Sequence, residues 1–135
     1  MRQKRLDLKL ASTFDELERA IEALQDFIPT LELDEDLAYR VILLASEALT
    51  NAIEHGNKWN QKKEATLSLV KQDRRIELIV TDEGDGLHWT HKNPLEEKNR
   101  LSHRGRGQYF MREMADEVHI DEDHCKLRLV FHCSS

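Results

Sequence analysis

The chain has 135 residues, with 20 Lys and Arg against 26 Asp and Glu, and a formal net charge of -6. That length suits one core, and the surplus of acid excludes general binding to a nucleic-acid backbone, which needs a basic footprint. Hydrophobic residues make up 39%, but leucine, isoleucine and valine recur too periodically for a disordered tail.

The first residues, Met1-Arg2-Gln3-Lys4-Arg5, are basic, but the alternating Leu6-Asp7-Leu8-Lys9-Leu10 follows instead of an apolar signal segment. No apolar run approaches the ~20 residues of a membrane helix. Cys125 and Cys133 form no C-x-x-C pair. The expectation is a cytoplasmic protein without a membrane segment, in a reducing compartment.

Leu6, Leu8 and Leu10 alternate with charged residues and predict a half-buried strand. Ser12 or Thr13 then caps a helix whose first turn carries Asp15 and Glu16. Its stripe is Phe14, Leu17, Ile21, Leu24 and Ile28, and it ends near Pro29. A second helix runs from about Asp34 to about His55, with Gly56 as its stop and Leu37, Val41, Leu44, Ala48 and Ala52 as its stripe. Ala65-Leu67-Leu69 and Ile76-Leu78-Val80 alternate on either side of a polar turn, Lys71 to Arg75, which predicts a hairpin. Residues 87–104 lack periodicity and read as a long loop. A short helix from Gln108 to about Ala115, a strand from Glu117 to Ile120 and a final strand through Leu127, Leu129 and Phe131 complete the chain. Cys125 and Cys133 fall in step with that last apolar face and read as small core residues. The order β-α-α-β-β-loop-α-β-β predicts an α/β two-layer sandwich, with one mixed, mainly antiparallel sheet under a helical layer.

Three features stand out from this plan. Glu47, Asn51 and His55 are spaced four apart, so they stack along one side of the second helix. Glu47 sits among apolar neighbours, where a carboxylate needs a partner or a wet cavity. A solvated helix edge would give the same row. Val80-Thr81-Asp82-Glu83-Gly84-Asp85-Gly86 runs from a strand into two glycines flanked by acids. An ordinary turn has the same composition, but Asp82 at a strand end can accept hydrogen bonds from an amine. Arg104-Gly105-Arg106-Gly107 opens the helix that begins at Gln108, and free N–H groups at such a helix start favour phosphate. An exposed loop with solubilising arginines is the alternative.

Taken in order, the three motifs resemble the ATP site of the GHKL superfamily, whose Bergerat fold is shared by gyrase, Hsp90, histidine-kinase and MutL ATPase domains. Two segments are similar to its small stand-alone branch, the anti-sigma-factor serine kinases. They are Ser46-Glu47-Ala48-Leu49-Thr50-Asn51-Ala52-Ile53-Glu54-His55-Gly56 and Gly105-Arg106-Gly107-Gln108-Tyr109-Phe110-Met111-Arg112-Glu113-Met114-Ala115-Asp116-Glu117-Val118. The resemblance spans nearly the whole chain and implies a single domain, residues 1–135, with an ATP lid at about 87–104. It implies that Asn51 ligates Mg²⁺, that Glu47 is the general base, and that Asp82 accepts from the adenine amino group above Gly84 and Gly86. Gly105 and Gly107 would offer N–H groups to the phosphates, Arg106 would add charge, and His55 would line the nucleotide pocket.

The implied function is that of a Mg-ATP-dependent protein serine kinase and anti-sigma factor. It would phosphorylate a STAS-type anti-anti-sigma protein, sequester a sigma factor and form a homodimer, with no direct contact to nucleic acid. An ATP-binding regulatory module without kinase turnover is the alternative. A complete sensor histidine kinase would need a phosphoacceptor histidine on a dimerisation helix, and the first helix has no histidine. Two departures from the family pattern stand out: Asp123-His124-Cys125 replaces a glycine and a small hydroxyl residue before the last strand, and Gln108 is polar where an apolar residue is common. His88, His91 and His103 match no common zinc spacing.

Charge is also unevenly placed. Lys98 to Arg112 holds five basic residues and no acid, whereas Glu113 to Asp123 holds six acids and no Lys or Arg. Positive charge is thus concentrated where a triphosphate would lie.

Overall fold

The computed structural model describes residues 3–84 and 111–133. Strand β1 (Gln3–Ala11) leads into helix α1 (Phe14–Phe27), a 3-10 turn at Ile28–Leu31, and helix α2 (Glu35–Asn51). A π-helical turn, Ala52–Gly56, follows, and then β2 (Glu64–Gln72) and β3 (Arg75–Thr81). After a helical turn at 111–114 come β4 (Glu117–Asp121) and β5 (Lys126–His132).

Local chemistry sets these boundaries. Thr13 Oγ1 accepts from the Glu16 N–H at 3.2 Å and starts α1. Asp34 Oδ1 accepts from the Leu37 N–H at 2.8 Å and starts α2, whose first turn carries Glu35 and Asp36 at its positive end. Pro29 lies in the 3-10 turn, which Glu32 closes at φ 55. The β2–β3 hairpin is tighter than the polar stretch suggests: Gln72 pairs with Arg75, leaving Asp73 (φ 56) and Arg74 as the turn.

The five strands are ordered β1-β2-β3-β5-β4, and each described pairing is antiparallel. One row of partners crosses the whole sheet as Leu6, Leu69, Leu78, Leu129 and Val118. This face is covered by α1 against β1 and by α2 against β2 and β3. All five expected stripe residues of α2 are buried, and Leu67, Leu69, Ile76, Leu78, Val80, Leu127, Leu129 and Phe131 meet them. The opposite face carries charge. Glu77 there accepts from Arg128 at 2.7 Å and from Arg75 at 3.0 Å. Burial pushes the Glu77 pKa up, but the bonds from the two arginines outweigh it and hold the carboxyl below its ordinary range.

Three elements differ from expectation. Phe14 continues the α1 stripe in spacing but stays 62% exposed; Leu17, Ala20 and Leu24 form the buried face. The second helix does stop at Gly56, but its last five residues are π-helical rather than α-helical. Cys125 lies in the β4–β5 turn at φ 49, outside the strand. Its chain spacing matches the apolar face of β5, but the turn redirects its side chain. Among the described residues, no helix is long and apolar enough to cross a membrane.

Candidate functional site

The C-terminal half of α2 is enclosed by core. Ala48, Leu49, Ala52 and Ile53 are fully buried. Asn51, the last α-helical residue, lies among them with 2% exposure. Its Nδ2 has no hydrogen-bond partner among the described residues. A buried donor left unmade costs about 1–3 kcal/mol, so folding alone does not account for this amide. Glu47, one turn earlier on the same side, is half-buried.

The π turn then widens the helix by one residue per hydrogen bond, with the Asn57 N–H reaching Ala52 O at 2.8 Å. Such turns recur at functional sites. His55 lies within this turn. It is half-buried, with Nε2 3.9 Å from the Glu54 carboxylate.

The second motif folds directly against this turn. Asp82 follows β3 with 8% exposure, and its N–H donates to Cys125 O at 3.1 Å. Its Oδ1 accepts from the Gly84 N–H at 2.8 Å, which closes an Asx turn. A Cβ on Gly56 would stand 2.6 Å from Asp82 Cγ, and one on Gly84 would run into the Gly56 carbonyl. Both glycines are needed for this close approach. Residues from the first and second motifs, 26 positions apart at Gly56 and Asp82, thus pack in direct contact.

Cys125 contributes from the β4–β5 turn. Its Sγ donates to Gly84 O at 3.1 Å. The sequence departure at 123–125 therefore places a thiol against the Asp82 turn. In the same turn, His124 Nδ1 lies 2.8 Å from Asp121 Oδ2, and this bond lowers the Asp121 pKa.

Only the end of the third motif is described. Residues 111–114 are helical, and Met111 is 1% exposed in the core. Arg40 of α2 donates to Met114 O at 2.8 Å and ties this turn to the second helix. Gly86, Gly105, Arg106, Gly107, Gln108, the histidines at 88, 91 and 103, and the expected lid at 87–104 lie outside the described residues.

Sequence reasoning missed Asn57 and Ser12. Both are 1% exposed, and they are hydrogen-bonded to each other at 2.9 Å beside the Asp82 turn. Polar residues in apparent loops give no burial signal. A weak clue was the position of Asn57 directly after the glycine that ends the helix.

An antiparallel sheet under a helical layer, with the second helix packed at Gly56 on the Asp82–Gly84 turn, fits the α/β ATPase fold of the GHKL class. Residues 10–131 match the family model described as the histidine kinase-like ATPase domain, and the chain belongs to that family. It is 34% identical over 85 residues to the serine-protein kinase RsbW of Bacillus subtilis (strain 168), covering 58% of this chain and 53% of that protein. It is 32% identical over 119 residues to the anti-sigma F factor of the same organism, covering 80% of this chain and 78% of that protein. The chain thus spans about half the length of the RsbW sequences it matches.

Proposed function

We propose that the chain is a Mg-ATP-dependent protein serine kinase that acts as an anti-sigma factor. The observation that carries this reading is the buried Asn51 side chain, whose Nδ2 has no partner among the described residues. It lies one helical turn beyond the Glu47 carboxylate. An amide and a carboxylate at a helix end are hard-oxygen groups suited to magnesium and to proton transfer. The names of the similar proteins, a serine-protein kinase and an anti-sigma factor, support the same class.

In this reading, Asn51 would hold Mg²⁺ through its side-chain oxygen, with its Nδ2 available to a phosphate oxygen. Bound magnesium supplies positive charge to the triphosphate. Asp82 accepts the adenine amino group, and Gly84 keeps the turn flat beneath the base. Glu47 accepts the proton of the acceptor serine while its oxygen bonds to the γ-phosphorus and ADP leaves. Little else is required, because phosphoryl transfer depends mainly on positioning and charge stabilisation. Gly86, Gly105, Arg106 and Gly107 would complete the pocket beneath a lid at 87–104, and His55 would line its edge. The acceptor is a serine of a STAS-type anti-anti-sigma protein, and the sequestered partner is a sigma factor. The protein would act in the cytoplasm as a homodimer.

The test is incubation with labelled ATP, Mg²⁺ and a STAS-type partner, beside Glu47→Ala. The expected result is labelled partner with the natural chain and none with the variant. Transfer that survives the substitution removes Glu47 as the base. Tight ATP binding without transfer to any partner replaces the kinase with an ATP-dependent binding module.

A further inference from the structure

We propose that Asn57 is a positioning residue for base recognition, acting through the backbone of Glu83 to hold Asp82 in place. This inference rests on the reading of Asp82 as the residue that accepts the adenine amino group.

Asn57 is 1% exposed, and both ends of its amide are used. Oδ1 accepts from the Glu83 N–H at 2.8 Å, and Nδ2 donates to Ser12 Oγ at 2.9 Å. Ser12, also 1% exposed, donates its own hydroxyl proton to Lys63 O at 2.7 Å. The direction of the chain is therefore fixed. With its proton committed to Lys63, Ser12 can only accept from Asn57, so the Asn57 amide must turn its oxygen toward Glu83. Unlike Asn51, this amide leaves no atom unsatisfied, and a satisfied buried network is rigid.

The backbone around Asn57 is held just as firmly. The Asn57 N–H closes the π turn on Ala52 O at 2.8 Å, and the Trp59 N–H reaches Ile53 O at 3.0 Å. Lys58 and Trp59 follow at φ 52 and 58, left-handed positions that non-glycine residues rarely occupy. They reverse the chain immediately after Asn57. The next contacts, Asn60 N–H to Asn57 O at 3.0 Å and Lys63 N–H to Asn60 O at 2.9 Å, return it to the residue that Ser12 holds. Glu83 adds a second strut, because its carboxylate accepts from the Glu64 N–H at 2.5 Å.

The residue after Asp82 is thus fixed by an amide anchored to β1's end and to the loop before β2. Any displacement of Glu83 carries Asp82 with it, because the two share a peptide unit. Adenine offers an amino donor at the recognised edge, whereas guanine offers a carbonyl acceptor that a carboxylate repels. Holding the carboxylate in place therefore sets base selectivity as well as affinity.

The experiment measures Mg-ATP and Mg-GTP binding by titration calorimetry for the natural chain, Asn57→Leu and Asn57→Asp. Asn57→Leu removes the acceptor for Glu83, and the ATP-to-GTP affinity ratio should fall about tenfold, the scale of one buried hydrogen bond. Asn57→Asp keeps an acceptor facing Glu83, with the Ser12 hydroxyl turning from Lys63 O to donate to the second carboxylate oxygen, and its ratio should stay within about twofold of the natural chain. A purely structural role would weaken both nucleotides equally and leave the ratio unmoved. If Asn57→Leu does not fold, Asn57→Ser, too short to reach Glu83, takes its place. An unchanged ratio in the leucine or serine variant overturns this inference alone, as does an equal fall in Asn57→Asp. Failure of the natural chain to bind ATP overturns the functional reading, and this inference with it.

Discussion

The two ends of the candidate site are built differently. At the Asp82 end, backbone meets backbone: Gly84 packs on the Gly56 carbonyl, and Cys125 and Asn57 hold the turn from either side. At the α2 end, a half-buried Glu47 and a buried Asn51 sit on the helix just before its π turn. There the Asn51 Nδ2 has no partner among the described residues. The first end is rigid before any ligand arrives. The second keeps hydrogen-bonding capacity in reserve at a cost in stability. In the proposed function, the site recognises a flat base and then performs chemistry on a phosphate, which gives it reason to separate these properties.

Five substitutions would break or sharpen this contrast. The largest effect is expected at the reactive end: Glu47→Gln should lower phosphotransfer by about 10²–10⁴-fold, the usual contribution of a general base. ATP affinity should change little, and single-turnover assays beside calorimetry separate the two. Comparable losses of both would show that Glu47 acts in binding instead.

Next is Gly84→Ala. The added carbon meets backbone, which cannot swing aside as a side chain can. Overpacking of this kind costs about 1–3 kcal/mol, measurable by urea unfolding, and should also abolish ATP binding. Gly56→Ala presses on the Asp82 carboxylate instead, so binding should suffer more than stability.

Asn51→Leu should act in the opposite direction on stability. Removing a buried donor without a described partner should leave the ligand-free protein as stable as before or raise it by up to about 1 kcal/mol, while ATP binding is lost. Marked destabilisation would show that the amide has a structural partner and would erase the contrast between the two ends.

The smallest effect lies outside the site. The folded-state pKa of Glu77 is below its ordinary value, so its stabilising contribution is complete above the normal carboxylate range. That contribution is lost as pH falls through the depressed value. Glu77→Gln should flatten the acid side of the stability curve by less than about 1 kcal/mol, since the ion pair is partly solvated. Nucleotide binding at neutral pH should not change.

Much of this architecture follows from periodicity. The helical stripe from Leu37 to Ala52 and the alternation in β2, β3 and β5 fix which faces are buried, because burial of apolar area is local in its demands and regular in its spacing. The motif residues Glu47, Asn51, Asp82 and Gly84 were also legible, since carboxylates, amides and glycines interrupt that regularity. The π turn was not legible, because a single extra residue in a helical ring leaves no mark on composition. The spacing of Cys125 continues that of Leu127 and Leu129 and by itself predicts a strand residue. Only the left-handed turn sends its thiol to Gly84.

The sequence by itself determined the order of elements, the buried faces and the chemical groups available at the site. Each of these depends on residue type and on neighbours close in the chain. Tertiary structure alone decided that Gly56 lies against Asp82 and that Asn57 joins Ser12 to Glu83. Those contacts link residues 26 to 45 positions apart. Whether a polar side chain is satisfied or left waiting depends on what the rest of the fold brings within about 3 Å of it.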